Sequence, residues 1–164
     1  MATDYSNPGG SGDRRGSIVI TVSSITSVSG LLSYLVNGSS ANEFYIKNQS
    51  AVDKWIMFDF GSTASKVIDE IALVQSGTHT HGYWQAQACN DATSWNNIGS
   101  TFVLGGSTRA ISTSMSTNTS GYRYYRLLGV SGNATNTPYI QEIEFKIDNY
   151  TAPASKAGLF FCHG

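Results

Sequence analysis

At 164 residues with a formal net charge of −1, the chain has the size of one domain and can bury a core without disulfide or metal staples. Hydrophobic residues make up 40%, aromatics 12% and charged residues only 13%, so Ser, Thr, Asn and Gly supply the remaining polarity. Those are turn formers and weak helix formers, which argues against a helix-rich fold. The Lys and Arg residues are scattered apart from the Arg14-Arg15 pair, which argues against nucleic acid or an anionic membrane surface as partner.

Residues 1–17, rich in Gly, Ser and Asn and containing Pro8-Gly9-Gly10, read as a flexible N-terminal arm that buries too little apolar area to order itself. The segment has no apolar stretch of the Sec-signal kind, and no apolar run anywhere is long enough to insert in a membrane. The β-branched run Ser17–Val28 suits one or two short strands. After Gly30, the run LLSYLVNG closes on an Asn37-Gly38 turn signal.

Clear alternation begins at Trp55, where Ile56, Phe58 and Phe60 share one strand face and Gly61 ends the run. In GYWQAQACND, Trp84, Ala86 and Ala88 lie opposite Tyr83, Gln85, Gln87 and Cys89, and Asn90-Asp91 make the turn. Tyr125 and Leu127 oppose Tyr124 and Arg126. Ile143, Phe145 and Ile147 oppose Glu142, Glu144 and Lys146. Short alternating strands between Gly, Asn and Ser turns, with no helical period, indicate an all-β antiparallel jelly-roll sandwich over residues 18–147. Residues 148–164 form a C-terminal tail whose Leu159-Phe160-Phe161 is apolar enough to dock. Cys89 and Cys162 are too few for a disulfide framework and are expected as free thiols, Cys89 buried, the alternative being a single bridge between them.

Taken in order, LVNGSSANEFYIKNQ (35–49), KWIMFDFG (54–61), IDEIAL (68–73), GYWQAQACNDATSWNNIG (82–99), YRYYRLLGVSG (122–132) and YIQEIEFKI (139–147) resemble the discoidin, or coagulation factor 5/8 type C, family. The resemblance covers roughly Leu35 to Ile147 and extends to the family 32 carbohydrate-binding modules. It implies an eight-stranded, galactose-binding-like jelly roll with ligand loops at one end. Its members mostly bind sugars, others bind phospholipid head groups or proteins, and they are seldom catalytic. On size alone, Trp55, Trp84 and Trp95 are expected to fill the space between the sheets.

A sugar site needs planar donors and acceptors for vicinal hydroxyls and an aromatic ring for the apolar sugar face. Thr78–Tyr83 offers His79, His81 and Tyr83 in one loop, the two imidazoles pointing the same way if the segment is extended. The alternative is a solvated pair. Two further loops are expected at the same end, one with Tyr45, Lys47 and Asn48, the other with Asn133, Asn136 and Tyr139. Either Asn-rich loop also reads as plain turns. Arg126 stands beside them on an outward strand face, its alternative role an ion pair with Glu142 or Glu144.

The resemblance also implies a structural calcium near Asn37-Gly38, completed by Glu142. Asn37 stands where the family pattern has Asp, which removes a charge that calcium favours. No nucleophile elbow, phosphate loop, zinc motif or distinctive carboxylate pair is present, so no enzymatic activity is expected.

The expected function is recognition of a cell-surface glycan, in a virion or extracellular setting, by a phage spike, fibre or decoration subunit. Its arm and tail would hold other virion subunits, and the assembly would be a homo-oligomer. The alternative is a purely structural virion protein that uses the same fold for protein contacts without a sugar.

Overall fold

The computed structural model describes Tyr5, 9–135, Thr137 and 139–148. Among these residues the strands are β1 Val19–Val22, β2 Ser27–Ser29, β3 Tyr45–Ile46, β4 Gln49–Ser50, β5 Trp55–Asp59, β6 Val67–Gln75, β7 Thr80–Cys89, β8 Asn96–Gly105, β9 Arg109–Ser112, β10 Tyr124–Ser131, β11 Asn133–Ala134 and β12 Ile140–Asp148. A 3₁₀ turn, Leu32–Val36, follows β2. No helix among the described residues is long and apolar enough to cross a membrane.

A five-stranded sheet in the order β1-β5-β10-β7-β8 faces a three-stranded sheet in the order β12-β6-β9, every pairing antiparallel. Together they supply the eight strands of the expected sandwich. The inward faces are those that alternation marks out: Ile56, Phe58, Phe60, Trp84, Ala86, Ala88, Tyr125, Leu127, Ile143, Phe145 and Ile147 are all buried. Phe145 ties the layers together, edge-on to Phe58 at 4.9 Å and to Phe60 at 5.3 Å between ring centroids. Each such buried ring contributes roughly 2–3 kcal/mol of transfer free energy.

Of the three tryptophans only Trp84 is in the core, its indole N–H donating to the His81 carbonyl at 2.8 Å. Trp55 is half-buried on the outer face of β5, paired with Leu128. Trp95 is also half-buried and lies 4.1 Å from the Arg126 guanidinium. Indole size suits a core, but Trp55 falls on the outward parity of its strand and Trp95 on a turn, and position decides.

Gly9–Ser17, read from the sequence as part of a flexible arm, packs on the domain. Phe145 N–H donates to Gly10 O at 2.9 Å and Arg14 N–H to Val36 O at 2.8 Å, so the segment covers the free edge of β12, a position that unpaired strands otherwise leave open to aggregation. Further back, Tyr5 donates to Glu70 Oε1 at 2.7 Å and its ring lies under Arg109. The remainder of the arm and residues 149–164, with Cys162, lie outside the described residues. Cys89 is buried and free, and burial raises its thiol pKa.

Candidate functional site

Antiparallel register decides which loops meet. Ser131 pairs with Tyr83, Ile140 with Gln75, Thr80 with Gly105 and Leu128 with Trp55, so the connections β3–β5, β6–β7, β8–β9 and β10–β12 gather at one end of the sandwich. Asn133 pairs with Ser50 and Ala134 with Gln49, which makes a small two-stranded rim. Gly82 lets that rim sit close: its φ is +86°, and a Cβ there would lie 2.6 Å from Ser131 O. Only glycine meets both conditions without strain.

Between the rim strands lies a depression of about 470 Å³ lined by Asn48, Gln49, Ser50, Asn133, Ala134 and Thr135. The lining carries amides and hydroxyls and no ionisable side chain. Asn48, Ser50 and Asn133 are exposed, whereas Gln49 is spent internally, its amide joined to both the N–H and the C=O of Thr26. Beside the rim, the bridge between Phe44 and Ile140 brings Tyr45 and Tyr139 together, their rings 3.8 Å apart and tilted by 33°. Tyr45 donates to Glu43 Oε2 at 2.8 Å, a bond to a carboxylate that holds the phenol proton and raises its pKa. Tyr34, Glu43 and Tyr45 line a second, shallower hollow of about 540 Å³.

The imidazoles of the β6–β7 loop part company. His79 is exposed, but His81 is only 1% exposed and has both nitrogens engaged. Gln75 Nε2 donates to Gly77 O and His79 O, which leaves Gln75 Oε1 to accept from His81 Nε2–H at 3.1 Å. His81 Nδ1 accepts the Thr135 N–H at 3.4 Å, which fixes the neutral tautomer. Burial lowers its pKa to about 4. His81 is therefore a strut joining the β6–β7 loop to the segment after β11, buried where His79 is exposed. The bond to His79 O turns the chain before β7 begins.

Of the remaining sequence candidates, Lys47 is exposed next to Asn48, and Tyr83 is 52% exposed beside Val103 on β8. Asn136 lies outside the described residues. Arg126 is corrected: it pairs with Met57 and Gln87, in the half of β10 away from Ser131, and donates to Gln87 Oε1 at 2.7 Å. It stacks on Trp95, away from the loop end, and its side-chain partners are Gln87 and Trp95 rather than Glu142 or Glu144. Ser50 and Thr135 in the lining, and Gln75 behind His81, are not among the sequence candidates. Gln75 alone left a signal, a lone amide closing the otherwise apolar run IALVQ.

Glu142 meets the Asn37-Gly38 turn through the Gly38 N–H, and the cation beside it is Arg14. Arg14 is 3% exposed and Glu142 also 3%. The guanidinium pairs with Glu142 Oε1 and donates to Gly10 O at 2.7 Å and Gly12 O at 3.0 Å. Glu142 Oε2 accepts the Gly38 N–H at 2.8 Å. Asn37 is turned away, donating to Asn42 Oδ1 and accepting from the Ser39 N–H. Burial pulls Arg14 down to about 10, so it remains cationic at neutral pH. These residues do not fit a calcium ion: Glu142 Oε1 and the Gly10 and Gly12 carbonyls already serve the guanidinium, and Glu142 Oε2 takes the Gly38 N–H. Among the described residues no three His, Cys, Asp or Glu side chains come together to hold a metal.

No family model matches the sequence, and no curated protein matches it significantly. Solved structures do match in fold. A family 32 module from a Clostridium perfringens family 31 glycoside hydrolase superposes with a TM-score of 0.61 at 15% identity, over 87% of this chain and 98% of that one. A second C. perfringens family 32 module, solved with GalNAc-β-1,3-galactose, gives 0.59 at 14% identity over 80% and 96%. The chitosan-binding module 1 of a Paenibacillus chitosanase/glucanase gives 0.56 at 23% identity over 77% and 92%. The chain thus has the antiparallel sandwich fold of the discoidin-like, family 32 carbohydrate-binding modules.

Proposed function

We propose that the chain is a non-catalytic glycan-binding module whose site is the depression between Asn48–Ser50 and Asn133–Thr135. The observation that carries this reading is the lining itself. Exposed amides and hydroxyls from two paired strands converge on one hollow, the donors and acceptors that vicinal sugar hydroxyls need, while Tyr83 and the Tyr45–Tyr139 pair offer aromatic surface close by. An uncharged lining suits a neutral sugar.

The carboxylates support the absence of catalysis. Asp59 is held bidentately by Arg123, Glu142 by Arg14, Glu144 by Arg109, and Glu70 by Tyr5 and Lys146. None of them lines the depression, so no acid/base couple faces a bound sugar. Modules of the same fold have been solved with GalNAc-β-1,3-galactose and described as chitosan-binding, and that likeness favours a glycan over a protein ligand.

The setting proposed with this activity is a virion or extracellular surface, the chain serving as a spike, fibre or decoration subunit of a phage particle in a homo-oligomer. The low charge and the polar, turn-rich surface suit such an exposed location. A glycan-array screen tests the activity, and antibody labelling of purified particles tests the setting. Failure of the folded chain to bind any glycan would favour the structural-protein alternative.

A further inference from the structure

We propose that Arg14 is the resident cation of the pocket formed by Glu142, the Gly38 N–H and the carbonyls of Gly10 and Gly12, so that the module folds and binds independently of calcium. The pocket is built for positive charge. It presents one carboxylate and at least two carbonyl oxygens at hydrogen-bond distance to a side chain that is almost wholly buried. The same groups are the donor types that a calcium ion takes, and a planar guanidinium satisfies them with directed N–H bonds instead.

Several features make the substitution part of the fold. Gly38 has φ +72°, and a Cβ there would lie 2.4 Å from Gly12 C and 2.7 Å from Asp13 N, so the turn and the Arg14 segment fit together only around glycine. The Asn37 side chain is engaged away from the pocket, its Oδ1 by the Ser39 N–H and its amide N–H by Asn42 Oδ1. The Arg14 backbone is fixed on both sides, by Val36 O and by the Ile18 N–H. The cation therefore arrives with the chain and also locks the N-terminal segment against β12.

The test is thermal unfolding of the full chain in 5 mM EDTA and in 5 mM calcium chloride, with Arg14→Ala and Arg109→Ala beside the wild type. The wild type and Arg109→Ala should melt at the same temperature in both solutions. Arg14→Ala should melt about 10 °C lower in EDTA, as expected for one abandoned partner of a buried ion pair, and should regain part of that loss in calcium. A wild type that loses stability in EDTA and recovers it in calcium would overturn the proposal. Should Arg14→Ala fail to fold, the wild-type comparison decides alone. Melting does not depend on any sugar, so failure here leaves the glycan-binding proposal standing, and the reverse also holds.

Discussion

His81 and Gln75 form a buried pair, imidazole Nε2 to amide Oε1 at 3.1 Å, that fastens the β6–β7 loop to the β11 rim through Thr135. The imidazole is neutral there because burial lowers its pKa to about 4, against about 6.5 in an unfolded chain. The unfolded state thus binds the proton first as pH falls. Stability from this group is complete above about pH 6.5 and is lost as pH drops toward 4, by an amount on the order of 3 kcal/mol. Urea unfolding at pH 7 and pH 5 should show the wild type losing more midpoint than His81→Gln. Equal losses would mean that His81 is not buried as described.

Removing the strut should also be felt at neutral pH. His81→Ala leaves Gln75 Oε1 and the Thr135 N–H without partners, a cost of about 2 kcal/mol. His79→Ala, at an exposed position, should leave the melting temperature unchanged. The two variants, compared by differential scanning calorimetry, separate a structural histidine from a surface one.

Gly82→Ala tests the close approach of the rim. With φ at +86° and Ser131 O 2.6 Å from the added Cβ, the substitution should cost about 1–3 kcal/mol and push β11 outward. Chemical denaturation measures the first effect. A drop in glycan affinity larger than the drop in folded fraction measures the second.

Arg126→Ala separates the two ends of the sandwich. The side chain stacks on Trp95 and bonds Gln87, so its loss should cost about 1 kcal/mol of stability. Glycan affinity, read by isothermal titration calorimetry, should stay within about twofold of wild type, which corresponds to a negligible binding free energy. A loss of tenfold or more would move the site onto the outer sheet face.

The sandwich was legible because alternation is strict where both faces are committed. Ile56/Phe58 and Ile143/Phe145 announce their inward parity, and all four are buried. Glu142 shows where parity stops informing. It keeps an outward register, opposite Val74 as Glu144 is opposite Ala72, yet it is buried because Arg14 and the Gly38 turn cover it. Arg14 lies 128 positions away in sequence, inside a stretch whose Gly-rich composition reads as disorder. Composition measures how much a segment can bury by itself, and this one is ordered by a charge pairing and an open strand edge. The loop candidates fared according to their neighbours: Asn48 and Asn133 line one hollow because β4 and β11 pair, a contact between two-residue strands too short to leave a periodic signal. Arg126 was misplaced because its number lies close to the Ser131 loop, while the strand carries its side chain toward the opposite end.

The most direct test of glycan recognition at the rim is a glycan-array screen of the purified wild-type chain, followed by titration of the best binder into wild type, Asn48→Ala and Asn133→Ala. The account predicts selective binding of a neutral glycan, weakened about tenfold by each substitution, as expected for one lost hydrogen bond, in variants that a cooperative unfolding transition shows to be folded. Binding that both variants retain in full, or no binding by a chain shown to be folded, would contradict it.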